Sequence, residues 1–113
     1  MRSTAEQRSF DPAQLRQQAD ELALRCEHRA AAELYEEILL HDPGDGRVAV
    51  KLGDARRQLS ELEPAARAYE HAARVFAADG MENMASAAQR LAIAMRAAMR
   101  LEQFRRSRHD SAK

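Results

Sequence analysis

The sequence predicts an all-α fold made of two helical hairpins and one long C-terminal helix. Apolar residues recur at helical spacing along most of the chain, alanine is the commonest residue, and aromatic residues make up only 4% of the total. Such a composition favours helices that pack closely through small side chains over a sheet or a large aromatic core. The chain has 113 residues, which is enough for one domain.

The N-terminal part is predicted to contain a polar arm followed by the first helix. Residues 1–11 are polar apart from Phe10, and we expect them to form a disordered or loosely attached arm. Asp11 and Pro12 mark a helix start, because aspartate caps helix N-termini and proline fits the first turn. We expect this helix to end near Arg25, where its apolar periodicity stops.

Two further helices are expected between residues 29 and 59. The segment HDPGDG separates them, because Pro43 disfavours helical geometry in the residue before it and Gly44 accepts left-handed backbone angles. The helix over about 29–41 carries an apolar stripe of Ala31, Leu34, Tyr35, Ile38 and Leu39. The helix over about 45–59 directs inward Val48, Ala49, Leu52 and Leu59.

The C-terminal half is predicted to form a fourth helix and one long final helix. The fourth spans 64–78, opens on a proline and stops at Asp79 and Gly80. Residues 81–106 contain neither glycine nor proline and predict a single helix. Its apolar stripe consists of Met84, Ala88, Leu91, Met95, Ala98 and Leu101. We expect residues 107–113 to form a disordered basic tail.

The sequence repeats itself with a period of 34 residues. The segment AAELYEEILLHDPGDG at 31–46 is echoed by AARAYEHAARVFAADG at 65–80. In both copies an alanine precedes a tyrosine by one helical turn, which sets a small residue beside a large one. Small residues at Ala19 and Gly53 are expected to let paired helices approach closely. The aligned pairs are Asp20/Asp54, Glu27/Glu61, Ala31/Ala65, Ala32/Ala66, Tyr35/Tyr69, Glu36/Glu70, Asp45/Asp79 and Gly46/Gly80.

This pattern resembles the tetratricopeptide repeat family, whose unit is a helix–turn–helix of 34 residues. The unit at 12–45 matches the family signature at Leu15, Ala19, Leu22, Ala31, Tyr35, Ile38 and Pro43. The unit at 46–79 matches it at Ala49, Leu52, Gly53, Ala65, Tyr69 and Ala72. The resemblance implies one domain over 12–106, in which two hairpins stack as a superhelix and the helix at 81–106 caps them.

Two positions depart from the family pattern. Arg56 stands where a tyrosine is usual, and Ala77 stands where a proline is usual. Without that proline the fourth helix is predicted to run past its usual end. A third unit is not expected, because the segment AIAMRAA is compatible with helix where a turn would be due.

The chain is predicted not to be an enzyme and to need neither cofactor nor metal. Its four histidines share no metal-ligand spacing, and the pair Cys26 and His28 lacks a second pair. The GDG segment at 44–46 lacks the lysine and the Ser/Thr of a phosphate-binding loop. We therefore expect no small-molecule substrate.

The resemblance implies a groove that binds a protein or peptide. Stacked helix pairs form a curved surface, and the first helix of each pair lines its concave side. The groove residues are then Arg16, Asp20, Ala23, Arg47, Val50, Lys51, Asp54 and Arg57. Their mixed charge suits a peptide of acidic or mixed character. The alternative is an ordinary charged helix surface.

The last helix offers a second surface, either for a partner or for a second copy of the chain. Its candidate interface residues are Met84, Leu91, Ile93, Met95, Met99 and Phe104. Of its residues, Ala92, Ile93 and Met99 are expected to point away from the second repeat. Methionine is adaptable and lines many helix-binding surfaces, although core filling is the alternative. Arrays usually need three repeats, so a homodimer would bury what the missing repeat leaves exposed.

Charge and hydropathy restrict the partner classes and the compartment. The chain has 18 basic and 18 acidic residues, which argues against nucleic acid or a membrane as the default partner. It lacks an apolar run of about 20 residues and an N-terminal signal-peptide core. The single cysteine excludes an internal disulfide. We expect a cytoplasmic protein, and the alanine- and arginine-rich composition suggests a bacterial one.

The predicted function is a small bacterial adaptor or scaffold that binds a protein partner, as a subunit of a regulatory complex. A secretion-type chaperone for an unfolded client is one alternative, although such chaperones are commonly acidic and carry about three repeats. A nucleic-acid-associated regulator is the other, and it would use Arg100, Arg105, Arg106 and Arg108. Arginines at a helix C-terminus also simply favour the helix dipole.

Overall fold

The chain folds into helices that pack in sequence order. The computed structural model describes residues 10–111, and within that range it contains five α-helices and no strand. They are α1 (Pro12–Leu24), α2 (His28–His41), α3 (Gly46–Gln58), α4 (Leu62–Ala78) and α5 (Glu82–Ser111). Each helix packs against the one before it. The all-α prediction is confirmed, while residues 1–9 of the expected arm and 112–113 of the expected tail lie outside the described residues.

Aspartate side chains cap the starts of α1 and α3, and the sequence predicted the first of these caps, at Asp11. Asp11 accepts hydrogen bonds from the backbone N–H groups of Ala13 and Gln14, and Asp45 accepts one from the N–H of Val48 at 3.1 Å. These bonds satisfy donors that a helix start leaves unpaired. The aromatic ring of Phe10 stacks on His41 at 3.9 Å, so the chain just before α1 contacts the end of α2.

Three of the four connections share one backbone motif. At the end of α1, α3 and α4 a residue with positive φ follows the helix, and the next N–H reaches back to a carbonyl in the last turn. This is the Schellman motif. The positive-φ residues are Cys26 (63°), Ser60 (62°) and Gly80 (75°). The hydrogen bonds that close the motif join the N–H groups of Glu27, Glu61 and Met81 to the carbonyls of Leu22, Arg56 and Phe76. The α4–α5 connection therefore has the geometry of a turn within a hairpin.

The helices α2 and α4 start in register with the repeat but end differently. Both begin right after an aligned glutamate, Glu27 and Glu61, and α2 has 14 residues while α4 has 17. The extra residues lie at the C-terminal end, as expected when Ala77 replaces proline. Pro64 does not open α4 as predicted, because Glu61 is the N-cap and Leu62 is the first helical residue. Proline is tolerated there because first-turn N–H groups have no partner in the helix.

The final helix is longer than the sequence predicted. It runs to Ser111, so the expectation of a disordered tail from residue 107 is wrong for 107–111. The segment contains no glycine or proline that would end the helix. Glu102 and Arg106, which lie one turn apart, form an ion pair at 3.0 Å that stabilises it. Every residue from 101 to 110 is exposed. The end of α5 therefore extends beyond the packed body.

Small residues bring the helices close together around two buried tyrosines. Tyr35 and Tyr69 are the largest fully buried side chains. A Cβ atom built on Gly53 would lie 2.6 Å from the ring of Tyr69, so only glycine fits there without a shift. Ala19, at the aligned position of the first hairpin, is fully buried. The prediction that small residues permit close approach is confirmed.

The inner face of α5 contains most of the predicted stripe and differs from it at Ala92 and Leu101. Ala88, Ala92 and Met95 are buried against α3 and α4. Ala92, which was expected to point away from the repeats, is 1% exposed, and Leu101, which was expected inward, is 52% exposed. Leu101 is exposed because that part of α5 extends beyond the packed body, and Ala92 is buried because it packs with Ala65, Ala66 and Tyr69.

One arginine fastens α5 to α4. Arg96 forms a bidentate pair with Glu70, with N···O distances of 2.8 and 2.9 Å, and donates to Glu63 at 2.7 Å. Bidentate pairs fix orientation as well as charge. The hydrogen bonds from Arg96 lower the pKa of Glu70 from its usual value. Apolar contacts thus hold α5 against α4, and the ion pairs of Arg96 lie beside them.

Candidate functional site

The predicted groove residues meet where α1 lies beside α3. Two ion pairs join these helices: Lys51 Nζ lies 3.0 Å from Asp20, and Arg16 lies 3.3 Å from Asp45. We call the surface formed by the exposed sides of α1 and α3 the α1–α3 face. Apart from Asp45, the charged side chains in these pairs remain nearly half exposed, so the face is open to solvent although its charges pair with one another.

The two aspartates on this face each join the two helices of one hairpin. The hydroxyl of Tyr35 donates to Asp20 and that of Tyr69 donates to Asp54, each at 2.5 Å. The same bond thus occurs twice, one repeat apart, and joins the first helix of each hairpin to the second. The sequence assigned Asp20 and Asp54 to partner binding. Their first role in the structure is to position the tyrosines, and the recurring Asp-to-Tyr spacing was the signal for it.

The surroundings shift the titration of both members of these pairs. Burial would raise the pKa of Asp20, but hydrogen bonds from Tyr35 and Lys51 outweigh it and hold that pKa below its ordinary value. Burial, together with the hydrogen bond to Asp20, raises the pKa of Tyr35 well above its usual range. The pKa of Tyr69 is raised in the same way, by burial and by the hydrogen bond to Asp54.

We expect both tyrosines to stay protonated for as long as the chain is folded. A folded-state pKa above the unfolded value of about 10 stabilises the fold below that pH, and the contribution is lost as pH rises further. The chain has two tyrosines and no tryptophan, so tyrosinate absorbance reports on these two rings alone. In an alkaline titration, that absorbance should rise together with the loss of helical circular dichroism.

The Tyr35→Phe variant provides the assignment for this titration, because it removes one of the two chromophores. About half of the absorbance change should remain and should still follow unfolding. A tyrosine that ionises near pH 10 while the helical signal is intact would contradict the buried pairs.

A cleft of about 280 Å³ opens on the α1–α3 face. Lys51 and Arg57 supply its cations, and Asp54 is its carboxylate. Arg57 lies 3.9 Å from Asp54, at the limit of an ion pair, so its guanidinium is only loosely held. The remaining lining comes from Ala23, His28, Tyr35, Ala55 and Gln58. The cleft can therefore accept a small acidic side chain.

Four of the predicted groove residues do not line this cleft: Arg16, Asp20, Arg47 and Val50. The first two form the ion pairs between α1 and α3. Arg47 is exposed in the first turn of α3, and it makes no ion pair within residues 10–111. Val50 is partly buried and packs against the clusters between α3, α4 and α5. Val50 is thus mainly a core residue, while Arg47 remains available at one end of the face.

The predicted helix interface divides into two sides of α5. Met84, Leu91 and Met95 pack inward on α3 and α4. Ile93 and Phe104 point outward, with 55% and 57% of their surface exposed. Met99 lines a cleft with Arg29 and Leu62 near the start of α4. The six residues therefore do not form one interface.

A larger apolar cleft lies between α2 and α4, and the sequence did not point to it. Its volume is about 450 Å³. Leu40, whose surface is 81% exposed, lies at its edge, and an ion pair of Arg56 with Glu36 closes one side. The remaining lining residues are Leu39, Pro43, Leu52, Pro64, Arg67, Ala68 and His71. Leu40 could have signalled this cleft, because it falls outside the apolar stripe of α2.

The described residues show neither a metal cluster nor a membrane-spanning helix. Within 10–111, no group of three or more His, Cys, Asp or Glu side chains is arranged to hold a metal ion. None of the helices in that range combines the length and the apolar character needed to cross a bilayer. Comparison with protein-family models and with curated proteins found no match.

Proposed function

We propose that this protein is a non-catalytic adaptor of the tetratricopeptide-repeat type, which binds a protein or peptide through the α1–α3 face. The observation that carries the proposal is the cleft in which Lys51 and Arg57 surround a single carboxylate, Asp54. It lies on the helices that form the binding surface of stacked hairpins. The repeated Schellman turns and the repeated Asp–Tyr bonds support the repeat assignment.

The charge of the face favours an acidic or mixed segment as its ligand. The cations exceed the carboxylates by one, since Arg16, Arg47, Lys51 and Arg57 stand against Asp20, Asp45 and Asp54. The strong pairs at Asp20 and Asp45 are structural, whereas Arg47 and Arg57 are free or loosely held. An incoming carboxylate can therefore bind these two arginines without breaking the contact between α1 and α3.

The setting that we propose is a regulatory complex in a bacterial cytoplasm. An α-helical body with a charged face on α1 and α3 and an apolar cleft between α2 and α4 suits a subunit that holds other proteins together. In this proposal the groove contributes recognition through charge and shape, and no bond is made or broken.

The test is a comparison of partners recovered by variants of the full chain. We expect Arg47→Glu with Arg57→Glu to abolish recovery of the partner in affinity purification followed by mass spectrometry. Arg67→Glu with Arg74→Glu, on the exposed side of α4, makes the same charge change elsewhere and should leave recovery unaltered. Equal recovery by both double variants would rule out binding through the α1–α3 face.

A further inference from the structure

The side of α5 that faces away from α4 carries a seam of exposed apolar residues. Ile93, Leu101 and Phe104 are 55%, 52% and 57% exposed, and the exposed Ala97 lies between them. An α-helix turns by about 100° per residue, so these positions fall within about 80° of one another on one side. Their spacing of four, four and three residues is that of a helix–helix contact seam. We call this side the outer face.

Four arginines surround the seam. Arg90 and Arg108 lie beyond its two ends, and Arg100 and Arg105 lie along its two edges. Within residues 10–111, Arg90, Arg100 and Arg105 make no ion pair, and Arg108 lies over the ring of Phe104 at 5.7 Å. The cations of the outer face are therefore uncompensated by the rest of the described chain.

The outer face carries no carboxylate between its end arginines. Glu102 is the acidic residue in that stretch, and it points to the opposite side of α5, where it pairs with Arg106. An apolar centre within a charged rim is the usual anatomy of a protein interface. Here the rim has a single sign.

We propose that the outer face binds an acidic amphipathic helix of another protein. The seam spans about 16 Å between Ile93 and Phe104, and the arginines span about 27 Å, which corresponds to roughly five helical turns. A helix with apolar residues along one side and glutamates or aspartates beside them would cover the seam and pair with the rim. This site is on a different helix from the α1–α3 face and does not depend on it.

Charge argues against a second copy of the chain as the occupant. A two-fold pairing places the same face on both subunits. Arginines on one outer face would then meet arginines on the other, and like charges opposed across an interface are unfavourable. The homodimer expected from the sequence is therefore disfavoured on this side of α5.

The arrangement also favours a protein over a phosphate-rich surface. Nucleic acid would be bound through central cations, whereas here the centre is apolar and the arginines are peripheral. A helix lying on a membrane needs a broad apolar side, and the outer face has a narrow seam with three large apolar residues. Both surfaces are nevertheless included as outcomes of the test.

The test measures binding of the full chain to a synthetic helical peptide by fluorescence anisotropy. The probe carries leucines at helical spacing with glutamates beside them, and its comparators replace glutamate with lysine or scramble the order. We expect saturable binding of the glutamate peptide alone. Arg100→Glu with Arg105→Glu, and separately Leu101→Ser with Phe104→Ser, should each weaken it by about tenfold or more. Helical circular dichroism should show that α5 is retained.

Matched controls distinguish the outer face from general charge and from the groove. Arg25→Glu with Arg67→Glu makes the same charge change at the end of α1 and on α4, and Leu24→Ser with Leu40→Ser removes two even more exposed leucines. Both should bind the probe as the unaltered chain does. The α1–α3 face is tested through Arg47 and Arg57 and the outer face through residues of α5, so failure of one proposal is distinguishable from failure of the other.

Several results would overturn the proposal. These are absence of saturable binding, equal binding of the scrambled peptide, or binding that survives loss of Leu101 and Phe104. Preferential binding to duplex DNA or to vesicles of anionic lipid would assign the face to phosphate groups instead. A dimer in light scattering that Leu101→Ser with Phe104→Ser dissociates would assign it to a second copy.

Discussion

Replacing Ala92 with glutamate should lower the free energy of unfolding by about 3–5 kcal/mol, the largest effect that we expect from a single substitution. The side chain of Ala92 is 1% exposed and packs in a cluster with Ala65, Ala66, Tyr69 and Met95. A carboxylate placed there has no cation within that cluster to pair with, and burying an unpaired charge is costly. Either α5 leaves α4 or the whole domain loses its cooperative transition. Urea denaturation followed by circular dichroism measures the change.

The neighbouring residue provides the control. Ile93→Glu introduces the same group one position along the same helix, but on the outer face, where 55% of the side chain is exposed. Its effect on stability should stay within about 0.5 kcal/mol, as for ordinary surface substitutions. Equal stability of the two variants would mean that Ala92 faces outward like Ile93, as the sequence predicted. A larger loss for Ile93→Glu than for Ala92→Glu would also contradict the structure.

The length of α5 could be predicted from the sequence, but the side that it turns towards α4 could not be predicted in full. Helical periodicity correctly predicted one long helix, because nothing between residues 81 and 106 interrupts it. Alanine occurs on every side of that helix, so hydrophobicity alone does not distinguish buried alanines from exposed ones. Which side of α5 faces α4 is set by contacts with Tyr69 and by the ion pairs of Arg96. Both involve residues that are distant in sequence.

The period of 34 residues is present in the sequence, but its last two aligned pairs have different places in the structure. Asp45 and Gly46 align with Asp79 and Gly80, yet Asp45 caps the start of α3 whereas Asp79 follows the end of α4. Gly46 is buried against Phe76, and Gly80 is exposed with a φ of 75°. The same Asp-Gly pair thus lies in a loop between hairpins in the first copy and in a turn of hairpin geometry in the second. The difference arises because α4 lacks the proline that ends its counterpart.

The predicted groove residues lie on neighbouring parts of α1 and α3, but the roles of their charges were predicted too simply. The spacing of α1 and α3 residues predicted which side chains share a face, since a helix period fixes that locally. It did not predict that Asp20 and Asp54 would be occupied by tyrosines from the second helices. Side-chain pairing between helices depends on how closely they approach, which a single sequence does not state.

Close approach is what the second large effect tests. Replacing Gly53 with alanine should destabilise the fold by about 1–2 kcal/mol, although helix propensity alone would stabilise it by about 1 kcal/mol. The new Cβ would lie 2.6 to 2.9 Å from three ring atoms of Tyr69. That ring is fully buried and its hydroxyl is bonded to Asp54, so it has little room to retreat. The clash therefore outweighs the gain in propensity.

The other glycines and a double variant test the cause of this loss. A Cβ on Gly44 meets nothing nearer than 3.6 Å, and its φ is not positive, so Gly44→Ala should be neutral or slightly stabilising. In a Tyr69→Leu background the ring is gone, and the cost of Gly53→Ala should shrink or change sign. If Gly53→Ala instead raised the urea midpoint of the unaltered chain, the close contact of α3 with Tyr69 would be refuted. Helix propensity would then be the dominant effect at the centre of the second hairpin.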